Sequence, residues 1–479
     1  MAGPWKELNN TPSFSVDTML LLTDGSVMCH EVETPNWHKL VPDASGDYVN
    51  GTWQAMTPLP ANAPLSQKGP VDEPLYYASA VLKDGRVFVA GGEYNDGGVP
   101  VDLLTAEVYD PVADSWASVA TPPGWNNIGD APSCVLPDGK VLLGDINSTR
   151  TATFDPVAKT WATGGNKDDN SSEESWTLLP DHTILCAEVD NHPKAEKYVI
   201  ATNKWVSAGS VPAAADLVLN VPGVSIEIGP AILMPDDRVF CVGASGHTAL
   251  YSVKTGAWFA GPNFPTDSGG NLLRAFDAPA ALLPNGHVLC VVGAVVTSGV
   301  NAGWAGLPIS FFEFDGTALN PVPAPGNAPN TLTYNCRLLL LPTGQVLYSN
   351  CSSDLEIYTP SGAPHAHWRP HITHVPKVLR HGQSYRLRGR QLNGLSQANG
   401  YGDDAQMATN YPLVRLKRAG SKAVYFCRTF DHSTMAVATG KKVHHTHFHV
   451  SHAVPVGKYD LVVIANGTHS QPIKVHVKP

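Results

Sequence analysis

One short pattern recurs along most of the chain: an apolar run, a tight polar turn and a second apolar run. Its copies read LLLTDGSVMC, SAVLKDGRVFVAGG, SCVLPDGKVLLG, WTLLPDHTILC, AILMPDDRVFCVG, ALLPNGHVLCVVG and LLLLPTGQVLYSN, with the turn residues at Asp24, Asp84, Asp138, Asp181, Asp236, Asn285 and Thr343. Asp-Gly or Asn-Gly between β-rich runs indicates a hairpin, because both residues tolerate positive φ. The sequence therefore predicts seven β-hairpins.

A third strand follows most of these hairpins and carries an aromatic residue and a later tryptophan, as in AEVYDPVADSW and TALYSVKTGAW. Each repeat of roughly 43 to 60 residues is then a small antiparallel sheet, which is typical of a kelch-type propeller. Seven hairpins predict seven blades, whereas a β-sandwich of similar strand content would not require so regular a period.

The repeats stop near Pro360, where a connector rich in proline and histidine begins. Beyond it, segments such as SYRLRGRQL and YDLVVIANG alternate as strands without the hairpin repeat. We predict an all-β chain of two domains: a seven-bladed kelch-type β-propeller over 1–366 and an Ig-like β-sandwich over 367–479.

Charge and hydropathy exclude some partners. The 479 residues carry a net charge of -10 and contain no run of Lys and Arg, so nucleic acid is not an expected partner. Because no apolar stretch approaches the roughly 18 residues that cross a bilayer, no membrane contact is expected. No secretory signal is visible, so we expect either a cytoplasmic protein or a secreted one whose signal has been removed. We expect a monomer.

The cysteines suggest core packing rather than a disulfide framework. Cys29, Cys186, Cys241 and Cys290 occupy one repeated strand position, and small packing residues explain that recurrence most simply. Cys336 and Cys351 flank a predicted hairpin, and whether they pair stays open.

Polar residues recur where each innermost strand should begin. In a propeller that strand runs along the central channel, so the residue about eight or nine before each turn should face the channel mouth. Blade by blade, these positions hold Asp17, Tyr76 with Tyr77, Asp130, Glu173 with Glu174, Glu227, Asp277, and Tyr334 with Asn335. Carboxylates this close cannot all ionise without a counter-charge, so raised pKa values or a shared cation are expected. The alternative is that half of them point into loops and cap backbone amides.

Three segments, YYASAVLKDGRVFVAGGEY, YNCRLLLLPTGQV and RTFDHSTMAVATG, resemble the galactose oxidase and glyoxal oxidase family of copper radical oxidases. The resemblance covers nearly the whole chain and implies a kelch propeller whose Ig-like C-terminal domain inserts a histidine into the channel. In that family two tyrosines and two histidines hold copper, and one tyrosine is cross-linked to a cysteine beneath an aromatic ring. By position, Tyr76 matches the cross-linked tyrosine, Tyr334 the axial tyrosine, His432 the inserted histidine and Tyr94 the stacking tryptophan.

Two positions depart from that family. Asn335 stands where the second histidine belongs, and Val16 stands where the cysteine belongs. Copper(II) favours imidazole, so an amide is a poor replacement. Without the thioether, the tyrosyl radical also loses its stabilisation. We therefore expect the fold to be inherited and the copper radical mechanism to be lost.

The remaining residues form an acidic mouth with phenols and one imidazole. We assign catalytic roles there to Tyr76, Tyr334, His432, Glu173, Asp130 and Asp277. We assign metal binding to Asp17, Glu227, Asn335 and His432, a set that suits Ca²⁺, Mg²⁺ or Mn²⁺ better than copper. We assign substrate contacts to Tyr77, Tyr94 and Glu174.

The leading hypothesis is an enzyme that uses non-radical acid–base or metal-assisted chemistry on a small polar or carbohydrate-like substrate. A copper-dependent alcohol or aldehyde oxidase with altered ligands is one alternative, and a non-catalytic kelch binding protein is another. A cationic substrate is a further use of the acidic ring.

Two other features have competing interpretations. VHHTHFHVSH places His445, His447 and His449 on one strand face, where two histidines can bind a transition metal, although an exposed histidine-rich strand is the preferred interpretation. Trp304 lies in a loop between strands, where it could stack on a sugar ring or serve blade packing.

Overall fold

The structure is a computed structural model that describes residues 3–61, 73–172, 174–219, 221, 224, 226–400 and 407–479. Its regular structure is almost entirely β-strand, which confirms the all-β prediction. Short 3-10 turns occur at Ile200–Thr202, Ala213–Ala215, Ala328–Asn330, Thr333–Asn335 and Ala366–Trp368. Within the described ranges, no helix has both the length and the apolar character needed to cross a bilayer.

In the described part of residues 5–358, seven sheets each contain a row of four antiparallel strands, and we number them sheet 1 to sheet 7. From the innermost strand outward, the first four are Val16–Leu21, Val27–Glu31, Trp37–Val41 and Thr52–Ala55 (sheet 1); Ala78–Val81, Val87–Ala90, Ala106–Asp110 and Ser115–Ser118 (sheet 2); Ser133–Val135, Val141–Asp145, Ser148–Asp155 and Thr160–Thr163 (sheet 3); Trp176–Leu178, Thr183–Ala187, Lys194–Val199 and Lys204–Ser210 (sheet 4).

The other three are Ala231–Leu233, Arg238–Val242, Thr248–Ser252 and Ala257–Ala260 (sheet 5); Ala280–Leu282, Val288–Val295, Ala305–Phe314 and Leu319–Val322 (sheet 6); Arg337–Leu340, Val346–Ser349, Glu356–Tyr358 and Trp5–Glu7 (sheet 7). Short strands at Leu273–Arg274 and Asn399–Gly400 extend sheet 6, and a separate ribbon pairs Tyr94–Asn95 with Val99–Pro100.

The inner two strands of each sheet are joined by the turn that the repeats predict. In sheet 1 the Leu22 amide donates to the Ser26 carbonyl at 2.8 Å, and the same backbone bond recurs in all seven hairpins. The Asp24 carboxylate accepts the Ser26 amide at 3.0 Å, and five other turns repeat this contact. The repeated Asp or Asn therefore closes its own turn.

The inner strands form a cycle. Each contacts the inner strand of the next sheet, and the inner strand of sheet 7 contacts that of sheet 1. Trp5–Glu7 pairs with Glu356–Tyr358, so the beginning of the chain supplies the outer strand of the last sheet. Closure thus rests on backbone pairing between segments that are distant in sequence.

Residues 396–400 and 407–411, which we call the central segment, lie against the inner strands. The Leu178 amide of sheet 4 donates to Gln397 Oε1 at 2.9 Å, and the Leu340 amide of sheet 7 donates to Asn399 Oδ1 at 3.0 Å. The Tyr411 hydroxyl donates to the Leu21 carbonyl of sheet 1. Inner strands are sheet edges whose buried backbone groups need partners, and these side chains supply them.

Described strands between His371 and Lys478, apart from the central segment, form two further sheets with a core of their own. Sheet 8 contains His371–His374, Gln383–Arg390, Val443–Val450 and Thr429–Phe430; sheet 9 contains Val378–Arg380, Ile473–Lys478, Gly457–Ala465, Leu413–Arg418, Val424–Cys427 and Thr468–His469. Both lie on the hairpin side of the ring, where the Thr429 amide donates to the Thr23 carbonyl and His469 Nε2 lies 3.0 Å from the Pro342 carbonyl.

All eight cysteines are free thiols. Cys29 and Cys290 are buried in the hydrophobic core, as their repeated position predicts. Cys336 and Cys351 are therefore not paired. The Cys336 thiol instead lies 3.8 Å from the Tyr348 hydroxyl, and the Cys351 thiol lies 3.7 Å from Asp17 Oδ1.

Candidate active site

A cavity of about 270 Å³, which we call the mouth cavity, lies at the end of the ring where the inner strands begin. Its lining residues are Glu33, Leu75, Tyr76, Glu93, Tyr94, Gly98, Asp130, Glu227, Asp277, Trp304 and Tyr334. Of the positions read from the repeats, Tyr76, Asp130, Glu227, Asp277 and Tyr334 meet here from five different sheets. Tyr94, assigned to substrate contact, joins them.

The backbone that presents these side chains is bent immediately before the strands. Tyr76 and Asp277 have φ of 52° and 49°, in the left-handed region that non-glycine residues rarely adopt. Such conformations cost about 1–3 kcal/mol each and often occur at functional sites. The two strained residues face the same cavity from sheets 2 and 6.

The lining is strongly acidic. It contains five carboxylates, and none of its described residues is Lys, Arg or His. Burial raises the pKa of Glu93 to about 7; a hydrogen bond from Tyr94 opposes the shift, and the negative charges of Asp277 and Asp102 add to it. Glu93 therefore exchanges a proton near neutral pH.

Aromatic rings form the remaining wall. The Tyr76 and Tyr94 rings meet edge to face at 5.9 Å between centroids, and the Trp304 and Tyr334 rings are 4.8 Å apart. Burial raises the pKa of all three phenols; the Cys351 thiol raises that of Tyr76 and Tyr334 further, and Glu93 raises that of Tyr94. The phenols are thus hydrogen-bond donors at neutral pH.

Asp17, assigned to metal binding, is not in the lining. The inner strand of sheet 1 already begins at Val16, so Asp17 lies within the strand. Its carboxylate is 2.9 Å from the guanidinium of Arg337, and both side chains are fully buried. The Arg337 guanidinium also lies 5.7 Å from the centroid of the Tyr76 ring. The buried Arg337 guanidinium thus already supplies the positive charge that a metal ion would bring to Asp17.

Two substrate assignments are also corrected. Tyr77 does not line the cavity: its side chain is fully buried, and its ring packs against the His30 ring with 5.4 Å between centroids. Glu174 is fully buried and forms an ion pair with Lys167 at 2.9 Å. Glu173 lies outside the described residues. Asn335 is half-buried and hydrogen-bonds the Tyr334 side chain, but it does not line the cavity.

His432 lies at the other end of the ring. Its amide donates to the carbonyl of Lys83, which follows the strand Ala78–Val81, whereas Tyr76 precedes that strand. The expectation that His432 enters the channel is therefore wrong. The central segment, and not the loop that carries His432, packs against the inner strands. That loop contacts the hairpin ends.

The donor set at the mouth does not fit the copper site that the resemblance implies. Its described residues offer phenol and carboxylate oxygens but no imidazole, which Copper(II) favours. Oxygen donors suit Ca²⁺, Mg²⁺ or Mn²⁺. In the described part of the chain, however, the one group of three potential ligand atoms within 4.8 Å is Glu174, Cys186 and Glu188, where Lys167 already supplies the positive charge.

Sequence reasoning missed Glu93, Glu33 and Trp304 as parts of one site. The acidic ring predicted from the repeats contains only residues ahead of the inner strands, yet the second strand of each hairpin runs back toward the mouth. Glu33 and Glu93 follow second strands, at Val27–Glu31 and Val87–Ala90. The available signal was Gly91-Gly92: a Cβ on Gly91 would meet the Gly129 carbonyl oxygen at 2.1 Å, so the chain passes close to Asp130 only with glycine there.

Comparisons with known proteins agree on the scaffold. The Kelch motif matches residues 74–123. The Kelch-like protein terF of Aspergillus terreus is 28% identical over 134 residues, which is 28% of this chain and 26% of that protein, so the match spans about a quarter of its length.

A similar solved structure is a fungal alcohol oxidase of the AA5 family in complex with copper. It has 14% sequence identity and a TM-score of 0.51, and the alignment covers 100% of this chain and 99% of that one. An identity this low shows the fold alone. Together these findings support a kelch-type scaffold for this chain, with a fold similar to that of the fungal oxidase.

Proposed function

We propose that the mouth cavity is the active site of an enzyme that moves protons on a small polar or carbohydrate-like substrate. The scaffold in this proposal is a seven-bladed propeller over 1–366 followed by an Ig-like sandwich over 367–479. The cyclic contacts of the seven inner strands and the separate core of residues 372–477 support this division.

One observation carries the functional proposal: Glu93 has a pKa of about 7 and lies in a cavity with three protonated phenols. A general acid or base works best when its pKa is near the working pH. Glu93 can therefore both accept and return a proton without a large energetic cost.

The other lining residues bind the substrate and stabilise the charge that develops on it. Glu93 as carboxylate removes a proton from the bound substrate, and the hydroxyl of Tyr76 or Tyr334 donates a hydrogen bond to the substrate oxygen that gains negative charge. Protonated Glu93 then returns the proton to the product. Asp130, Glu227 and Asp277 accept hydrogen bonds from substrate hydroxyls. Trp304 stacks on the apolar face of a sugar-like ring.

The cavity could also bind a divalent ion through its carboxylates. Asp130, Glu227 and Asp277 would hold Ca²⁺, Mg²⁺ or Mn²⁺ together with water or substrate oxygens, because such ions retain oxygen ligands from solvent. Copper oxidase chemistry is not proposed, since the donor set lacks imidazole.

A non-catalytic binding role is the second candidate. The described lining contains five carboxylates and four aromatic rings but no basic side chain. Carboxylates and aromatic faces both attract cations, so the cavity favours a positively charged ligand. In that case the cavity binds an amine or ammonium group and returns it unchanged.

One screen of candidate compounds distinguishes the enzyme from the non-catalytic binding protein. Sugars, sugar acids and amino sugars are incubated with the protein in D₂O, and NMR reports both binding and any chemical change. We expect one compound to be altered by the wild type and by Glu356→Gln, which changes a buried glutamate outside the cavity, but roughly 10²–10⁴-fold more slowly by Glu93→Gln. Binding without change supports the second candidate. If no compound binds, the cavity is not a site for this class.

A further inference from the structure

The side of sheet 8 that faces away from sheet 9 carries exposed and half-buried arginines. They are Arg386, Arg388, Arg390 and Arg428, and we call this surface the basic face. Alternate side chains of a strand point to opposite faces, and Leu387 lies in the core between sheets 8 and 9, so its two neighbours point outward. The four strands of sheet 8 contain no Asp or Glu. A row of cations therefore stands on a sheet without carboxylates.

A row of histidines lies beside the row of arginines. The two strands pair in register, so that His445 is opposite Arg388 and His447 is opposite Arg386. Nη2 of Arg386 donates to Nδ1 of His445 at 2.9 Å. Burial lowers the pKa of His445, and the positive charge of Arg386 lowers it further. The guanidinium of Arg386 is thus held by a neutral ring, which leaves its positive charge uncompensated.

Arg428 extends the basic face on the other side of the histidines. Its guanidinium lies 4.6 Å from the centroid of the Phe430 ring, and that ring also stacks on the His447 ring with 5.6 Å between centroids. Burial lowers the pKa of His449, and the positive charge of Arg428 adds to the shift. Asp431, which follows Phe430, lines a cavity at the hairpin ends and ends the basic face there.

The arginines of the basic face form no ion pair with a carboxylate of the described residues. The arginine ion pairs in that part of the chain are those of Arg86, Arg150, Arg238 and Arg337, which all lie outside sheets 8 and 9. The whole chain has a net charge of -10, so this face is opposite in sign to the protein as a whole. Its guanidinium groups are therefore available to oxyanions from solution.

The spacing of the arginines suits an extended ligand. Cα atoms two residues apart on a strand are separated by roughly 7 Å, so the row from Arg386 to Arg390 spans about 13 Å. A guanidinium binds an oxyanion through two parallel hydrogen bonds, which an ammonium group cannot form. A row of such groups on an open sheet offers repeated contacts to a chain that carries oxyanions at intervals, whereas it does not enclose a single ion.

The apolar side chains of the basic face are few. They are Val443 and Phe430, and Phe430 is already covered by Arg428 and His447. Protein interfaces depend on large aromatic anchors, and binding to a membrane surface depends on apolar side chains that enter the bilayer. Single-stranded nucleic acid needs free aromatic rings on which its bases stack. A polysaccharide with anionic groups needs none of these.

We propose that the basic face binds a linear polysaccharide that carries sulfate or carboxylate groups. The arginines bind the anionic groups, and the sugar rings lie across the open sheet. This surface is independent of the function proposed for the mouth cavity.

The test is fluorescence anisotropy of labelled polysaccharides over a series of salt concentrations. Heparin is the sulfated probe, polygalacturonate the carboxylated probe and dextran the neutral one. We expect at least one anionic probe to bind and dextran not to bind. The triple variant Arg386→Gln, Arg388→Gln, Arg390→Gln should weaken binding at least about tenfold. It should also reduce the slope of log Kd against log salt by roughly two to three, because the counterions released at each charge contact set that slope.

The matched control removes three exposed lysines of sheets 3, 4 and 5 through Lys159→Gln, Lys204→Gln and Lys254→Gln. It changes the net charge equally and should bind like the wild type. Circular dichroism checks each fold; if the triple arginine variant does not fold, Arg388→Gln alone should reduce the slope by roughly one.

Three results would overturn the proposal. The first is that neither anionic polysaccharide binds more tightly than dextran. The second is that the lysine control weakens binding as much as the arginine variant. The third is that single-stranded DNA or phosphatidylserine vesicles bind more tightly than both polysaccharides and lose that binding in the arginine variant, which would assign the face to nucleic acid or to a membrane.

Discussion

The Cys351 thiol lies near Tyr76 and comes from sheet 7, whereas the family's cysteine position falls on sheet 1, at Val16. Burial raises the pKa of the Cys351 thiol, and the Asp17 carboxylate adds to the shift. A thioether between a thiol and a phenol forms by loss of two hydrogens to an oxidant, and the described lining of the mouth cavity offers no imidazole to hold copper for that oxidation. We therefore predict that no thioether forms with Tyr76. Intact mass should show no loss of two hydrogens after copper loading in air, and a peptide that links Tyr76 to Cys351 would contradict this.

Single residues also show where sequence reasoning succeeds. Asp130, Glu227 and Asp277 could be placed at one mouth because a regular turn fixes the register of each hairpin. The same reasoning placed Asp17 and Tyr77 in the mouth incorrectly, because a shift of one residue in register turns a side chain to the opposite face. Only the observed start of a strand distinguishes the two cases.

Among the elements, the segments that adjoin the strands of sheet 4 contain a buried charge cluster. The ammonium group of Lys167 is 2.9 Å from Glu174 and 2.8 Å from Glu188, and all three side chains are buried. We predict that Lys167→Met lowers the free energy of unfolding by roughly 3–5 kcal/mol, because it removes the counter-charge of the buried Glu174 carboxylate. Lys140→Met, at an exposed pair, should change it by less than about 1 kcal/mol. Urea unfolding measures both, and equal effects would contradict the account.

The same cluster makes stability depend on pH. Burial raises the pKa of Glu188 to about 9, and the negative charge of Glu174 adds to the shift. The folded state therefore holds a proton that the unfolded chain releases near its ordinary pKa of 4.5. That stabilisation is complete below about pH 4.5 and is lost as the pH rises through 9, by up to about 1.4 kcal/mol per pH unit. Glu188→Gln should flatten this slope in unfolding curves between pH 5 and 9; an unchanged slope would assign it to other groups.

The central segment shows a second limit of prediction from the sequence, at the scale of whole elements. The hairpins could be predicted because six of the seven turns are closed by their own Asp or Asn. The central segment could not, since Gln397 and Asn399 find their partners in sheets 4 and 7, far away in the chain. The loop with His432 was therefore assigned to the channel in its place.

At the scale of the whole molecule, ring closure depends on the strand Trp5–Glu7. The Trp5 ring packs against Phe311 at 5.0 Å and Tyr358 at 4.9 Å. We predict that Trp5→Ala destabilises the protein by roughly 3 kcal/mol. Phe259→Ala, which changes a side chain 52% exposed on the outer strand of sheet 5, should cost less than about 0.5 kcal/mol.

Hydrogen exchange distinguishes closure from local packing. If the ring is closed by this strand, Trp5→Ala should reduce amide protection in sheets 1 and 7 together. Reduced protection confined to Trp5–Glu7 would contradict closure as the source of the stability.

The central claim is that the mouth cavity holds a glutamate poised for proton transfer. Its most direct test is a ¹³C NMR titration of protein labelled at the glutamate carboxyl groups. We predict one resonance that titrates near pH 7, disappears in Glu93→Gln, and shifts when a compound from the screen binds. The Glu188 resonance, near pH 9, should be unaffected by both. If Glu93 instead titrates near 4.5, as an exposed glutamate does, it cannot serve as the acid–base group, and the proposed function fails.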